Sequence, residues 1–202
     1  NLIKTHYLDI RDFAALKKVV DSLKPDYIFH LAAQALVAES FIDPLKTFTT
    51  NTIGTINLLE CPRYLNNKCT VILVTSDKSY ANHEWVWGYR ENEPMGGHDP
   101  YSSSKGCAEL LTSAWRQSYF GPDCRAQLAS ARAGNVIGGG DWAKDRLVPD
   151  ILRAFEKSQP VVVRSPQATR PWQHVLEPLS GYLVLAERLY IDGNRFAEGW
   201  NF

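Results

Sequence analysis

The 202-residue sequence has no excess of charge: 22 lysines and arginines are matched by 22 aspartates and glutamates. No basic stripe runs through it, which argues against a nucleic-acid binder. It has no apolar run of the roughly 18 residues that a membrane helix needs, and no secretory signal pattern. Cys61, Cys69, Cys107 and Cys124 follow neither metal-ligand nor redox spacing, so they read as reduced thiols of a cytosolic protein and no metal site is expected. Internal repeats and low-complexity segments are absent too. What is there is ordinary for a soluble globular protein, 45% hydrophobic and 22% charged. The length suits one large domain or one and a half.

Short apolar, β-branched runs alternate with helical patterns over residues 1–135. Phe13, Leu16, Val19, Val20 and Leu23 recur at helical spacing after Asp9, which itself follows a short strand-like stretch. Tyr27-Ile28-Phe29-His30-Leu31 reads as a strand ending in Ala32-Ala33-Gln34. Asp43-Pro44 starts a helix that Pro62 ends or kinks. Thr70–Val74 reads as a buried parallel strand, and residues 79–100 as a long loop carrying Trp85, Trp87 and Tyr89. A helix is expected from Tyr101 to about Tyr119, and a strand over 126–133. Asp145 is expected to open another helix, Val161–Val163 to form a short strand, Arg170 to begin a loop, and Pro178 to start the last helix. Strand–helix alternation of this kind predicts a doubly wound parallel α/β sheet, Rossmann-like, with helices on both faces.

The chemistry gathers at Tyr101-Ser102-Ser103-Ser104-Lys105 and Thr75-Ser76-Asp77-Lys78. Tyr101 and Lys105 are four apart and share a helix face. An ammonium beside a phenol favours the phenolate, which gives a base usable near neutral pH. The spacing alone is weak evidence. Its context strengthens it, because the hydroxyl, carboxylate and ammonium of 75–78 stand at a strand's carboxyl end, where open α/β sheets bind ligands. His30–Gln34, Thr75–Lys78 and Gly134-Asn135 are expected to meet in one crevice.

These segments, with Trp87-Gly-Tyr-Arg-Glu91, Arg132-Ala-Gly-Asn135 and Arg170-Pro-Trp-Gln-His-Val175, resemble the extended short-chain dehydrogenase/reductase family along essentially the whole chain. Within that family they resemble the branch that dehydrates CDP-sugars, in which Lys78 stands where dTDP-sugar enzymes carry Glu. The resemblance implies NAD as cofactor, with Asp9 on its adenine and Ala32, Ala33, Gln34, Thr75, Tyr101 and Lys105 around it. It implies Tyr101 as base, Lys105 on the nicotinamide ribose, Ser76 on the sugar 4-hydroxyl, and Asp77 and Lys78 as acid and base of the elimination. Asn135, Arg146, Arg170 and Trp172 would hold the nucleotide-sugar substrate, and the protein would be a cytoplasmic homodimer of deoxysugar biosynthesis with neither nucleic acid nor membrane as partner. Blander readings stand beside these: Asp9 as a helix cap, Asn135 as a turn residue, Arg170 as a surface charge, and the tryptophans as packing.

The family's Gly-x-x-Gly-x-x-Gly loop is not in the sequence. The resemblance therefore implies a piece of a longer protein, lacking the first strand, first helix and second strand and the end of the substrate domain. Residues 1–135, rejoined by about 176–192, would be the NAD-binding part; 136–175 and 193–202 would belong to the substrate-binding part. The 202 residues alone are expected to bind NAD poorly. A related epimerase, or a non-catalytic nucleotide-binding relative, are the alternatives.

Overall fold

The computed structural model describes residues 2–121 and 123–202. In chain order it contains α1 (Phe13–Leu23), β1 (Tyr27–His30), α2 (Val37–Ile42), α3 (Pro44–Phe48), α4 (Gly54–Glu60), β2 (Cys69–Val74), α5 (Pro100–Ser118), β3 (Ala126–Arg132), β4 (Asn135–Ile137), α6 (Leu147–Glu156), β5 (Trp172–His174), α7 (Leu176–Asp192) and β6 (Gly199–Asn201). β1, β2, β3 and β6 form one sheet in that order, every pair parallel. β4 and β5 make a separate parallel pair.

Side chains alternate across a strand, so each sheet face collects its own set. Val71, Leu73 and Leu128 point to one face and meet Leu16 and Val20 of α1, Leu58 and Leu59 of α4 and Ala108 of α5. Ile72, Ala129 and Ala131 point to the other and meet Tyr182, Leu185, Ala186 and Leu189 of α7. A sheet covered on both sides needs continuously apolar strands; β2 and β3 have them. The helices pack where expected, and the fold is the doubly wound Rossmann-like kind.

Several local expectations are corrected. Residues 2–8 form no strand, and all but Leu8 are exposed. Asp12, not Asp9, caps α1, its carboxylate accepting from the Ala15 amide at 3.0 Å. The segment from Pro44 to Glu60 stays helical but passes through a π turn at Thr49–Ile53, and Pro62 leads it into a 3₁₀ turn. Asp145 has a left-handed backbone, φ 62°, and α6 starts two residues later. Val161–Val163 form no strand. Trp172 belongs to a strand, not a loop, because β4 supplies a partner that no local pattern shows. α7 begins at Leu176, two residues before Pro178.

Candidate active site

Tyr101 is set by the start of α5. The Asp99 carboxylate accepts from the Ser102 amide at 2.9 Å and the Ser102 hydroxyl at 2.6 Å. Pro100 takes the first helical position, where no amide donor is missed. The preceding loop presses on the helix: a Cβ on Gly97 would lie 2.4 Å from the Ser103 nitrogen. One turn on, Lys105 follows on the same face. Both side chains are buried, at 9% and 7% exposure.

The end of β2 supplies the facing groups. The Thr75 amide donates to the Ala131 carbonyl at 2.8 Å and the Asp77 amide to that of Ala133 at 3.1 Å, so pairing with β3 continues past the strand. Asp77–Ser79 then make a 3₁₀ turn. The Ser76 hydroxyl donates to Asp77 Oδ1 at 2.9 Å and accepts from the Lys78 amide at 3.2 Å. Ser76, Asp77 and Lys78 are thus tied into one turn beside the first turn of α5.

The electrostatics differ from expectation at the phenol. Burial raises the Tyr101 pKa above its ordinary 10; the Ser76 hydroxyl lowers it, Asp77 raises it, Arg146 lowers it and Asp99 raises it. The largest influences do not include Lys105. The reason is geometric: the Lys105 ammonium points to the Val74 carbonyl, 3.4 Å away. Burial lowers the Lys105 pKa to about 8, with Glu109 opposing. Beside it His30 is buried, and desolvation together with the Lys105 charge takes its imidazole down to about 4.

Ala32 and Ala33 follow β1, Ala32 exposed and Ala33 half-buried, leaving the strand end uncrowded. The Gln34 side chain is committed internally: its carbonyl accepts from the Leu36 amide at 2.5 Å, and its NH₂ donates to the Leu36 carbonyl at 3.0 Å and the Thr47 hydroxyl at 2.9 Å. Asn51 clamps the Gln34 backbone and donates to the Ser104 hydroxyl. The Thr75 hydroxyl turns to Glu109. Asp9 is exposed and paired with Arg11, whose hydrogen bonds bring the carboxyl down to about 2; it borders a cavity of about 730 Å³ with Asp43, Lys46 and Thr49. Asn135 opens β4 directly opposite Trp172. A Cβ on Gly134 would lie 2.6 Å from Pro171 and 3.7 Å from Asp77 Oδ2, so the Arg170–Trp172 segment crosses next to Asp77. Arg146 pairs with Asp141 at 3.0 Å and still acts on Tyr101. Arg170 is exposed and donates to its neighbour, the Thr169 carbonyl, at 2.7 Å.

One buried cluster escapes a sequence reading. Glu109 accepts from the hydroxyls of Thr75 and Ser130 and from the Arg132 guanidinium, the last two at 2.7 Å. Arg132 also donates to Tyr80 Oη at 2.7 Å and the Glu91 carbonyl at 2.9 Å. Tyr80 donates to Asn201 of β6 at 2.6 Å. The available signal was spacing, since Tyr101, Lys105 and Glu109 recur every four residues.

The family model described as GDP-mannose 4,6 dehydratase matches residues 1–199. The chain belongs to this family. A curated CDP-glucose 4,6-dehydratase from Salmonella typhimurium is 59% identical over 206 residues, which cover 100% of the chain and 57% of that relative. The chain therefore spans little more than half the relative's length. Among solved structures, a UDP-N-acetylglucosamine 4-epimerase from Methanobrevibacter ruminantium superposes with TM-score 0.79 at 26% identity, over 96% of this chain and 59% of that one. A dTDP-glucose 4,6-dehydratase from Streptomyces venezuelae, solved with NAD, gives TM-score 0.75 at 24% identity over 89% and 53%; that likeness speaks to the fold alone. Dehydratases and epimerases of nucleotide sugars thus share this architecture.

Proposed function

We propose that this chain carries the catalytic core of an NAD-dependent dehydratase that converts CDP-glucose to its 4-keto-6-deoxy sugar. The observation that carries the reading is that Ser76 and Asp77 face Tyr101 at the carboxyl end of the sheet, with Lys78 in the same turn, in a chain 59% identical over its length to a CDP-glucose 4,6-dehydratase. The residues present suit the cofactor. Lys105 points one ammonium hydrogen at the Val74 carbonyl and keeps two donors for ribose hydroxyls; Ala32 and Ala33 leave room for close approach. When bound, NAD accepts the hydride from sugar C4 and returns it to C6.

The chain's own residues move the protons. Tyr101, which must be ionised to act, takes the proton of the 4-hydroxyl that Ser76 orients. The C4 ketone so formed acidifies the C5 hydrogen. Lys78 takes that proton, while Asp77 protonates the departing C6 hydroxyl, so that water leaves; Lys78 gives its proton back to C5 as hydride adds at C6. Lys78 must be neutral to act as a base. Asn135, Arg146, Arg170 and Trp172 bracket the side of the site where the substrate diphosphate and base enter, with Arg170 supplying charge-assisted hydrogen bonds. β4, β5 and the segments around them form the substrate-binding part. A cytoplasmic homodimer joined through the helices at about 44–60 and 101–119 completes the reading. It is consistent with the exposure of Leu45, Ile53 and Leu110 and with the absence, among the described residues, of a helix long and apolar enough to cross a membrane.

The test uses the intact protein and CDP-glucose deuterated at C4. The product is expected to carry the deuterium at C6. Solvent hydrogen at C6 would exclude hydride return, and inversion at C4 without loss of water would favour an epimerase.

A further inference from the structure

Resting on that reading, we propose that Glu109 is a positioning residue for the Ser76–Tyr101–Lys105 centre: through Thr75 it fixes the end of β2 against α5, and its carboxylate is the buried counterion of Lys105.

The hydrogen bonds of Glu109 carry the first part. Glu109 is 4% exposed, and its two oxygens join three elements. Oε1 takes the Thr75 hydroxyl at the end of β2; Oε2 takes Ser130 and Arg132 of β3. Thr75 directly precedes Ser76, so Glu109 sets how far the reacting turn stands from Tyr101, eight residues earlier on the same helix. The cluster is built around this carboxylate. A Cβ on Gly199 of β6 would lie 2.2 Å from Arg132 Nη2, so the neighbouring strand is shaped to admit the guanidinium.

Charge gives the second part. Lys105 and Glu109, both buried, stand one turn apart on one face of α5, and Glu109 is the carboxylate that favours the charged form of Lys105. Glu109 in turn faces Arg132 of β3, Arg116 of α5 and the Tyr80 phenol. Tyr101 faces Asp77, Asp99 and Arg146. Because burial already brings Lys105 down to about 8, loss of the Glu109 charge leaves much of it neutral at working pH. A neutral amine is a poorer partner for the ribose hydroxyls.

The experiment reads Lys105 directly. The intact protein is labelled with ¹³C at lysine Cε, the Lys105 signal is assigned with Lys105→Arg, and its titration is followed by NMR. Glu109→Gln is expected to lower the Lys105 midpoint by about one pH unit, the lower end of what a nearby opposite charge contributes. That substitution alone leaves Arg132 without its counter-charge, which is costly in a buried pair. Glu109→Gln/Arg132→Gln removes both charges, protects the fold and is expected to lower the midpoint as well. An unchanged midpoint in either folded variant overturns the counterion role. For the positioning role, Thr75→Val is expected to slow formation of bound NADH from CDP-glucose about tenfold with KM nearly unchanged; a wild-type rate overturns it. A wild-type protein that forms no NADH while its Lys105 titration responds to Glu109→Gln would refute the dehydratase reading and leave the counterion role standing.

Discussion

His30 shows at the residue scale how burial becomes pH dependence. Its imidazole is at about 4 in the folded protein against an ordinary 6.5, chiefly because of desolvation. As pH falls through 6.5, the unfolded chain takes up this proton before the folded one does. The contribution is therefore fully present above 6.5 and is lost between 6.5 and 4, by about 3 kcal/mol. Urea unfolding at pH 7 and at pH 4.5 is expected to show a loss of stability that His30→Gln largely abolishes; an equal loss in both proteins would assign it to other groups. Asp77 and Lys78 give a chemical prediction at the same scale. Both stand in the turn tied by Ser76, beside the groups proposed for C4 oxidation. Asp77→Asn and Lys78→Met are expected to block water loss while bound NADH still forms on adding CDP-glucose. Normal dehydration by both variants would remove them from the mechanism.

At the scale of the element, α5 is the decisive helix, and its first turn is held from two directions. Asp99→Ala removes the cap on Ser102 and is expected to cost about 1 kcal/mol. Gly97→Ala places a methyl against the Ser102 and Ser103 backbone, which cannot yield as a flexible side chain can. A loss of about 2 kcal/mol or more is expected, with weaker NADH formation because Tyr101 shifts with the turn. Denaturant unfolding ranks the two; a harmless Gly97→Ala would mean that the 96–99 loop is free of the helix. Elsewhere sequence legibility at this scale follows the source of the order. α1, β2, β3 and α5 were readable because their patterns, caps and prolines lie within them. β5 and β6 were not, since three residues with no pattern of their own become strands only beside β4 and β3.

At the scale of the molecule, the main sheet has β1 at one edge, with Tyr27, Phe29 and Leu31 exposed there. An apolar edge strand invites pairing with another chain. The 202 residues are expected to self-associate at micromolar concentration. Phe29→Lys is expected to reduce the association. Light scattering decides this: a monodisperse monomer with Phe29 intact would show that the edge is harmless.

By itself the sequence determined the alternation of strands and helices, the cap at Asp43, and the pairing of Tyr101 with Lys105 on one helical face. These follow from periodicity and local hydrogen bonding, which act over a few residues. Only the tertiary structure decided what those groups experience. Burial raises the phenol and lowers Lys105, Gln34 is consumed by Leu36 and Thr47, and Glu109 gathers Thr75, Ser130 and Arg132 from two other strands. Desolvation and counterions depend on which distant segments close around a side chain, and that is set by packing across the sheet, not by neighbours along the chain.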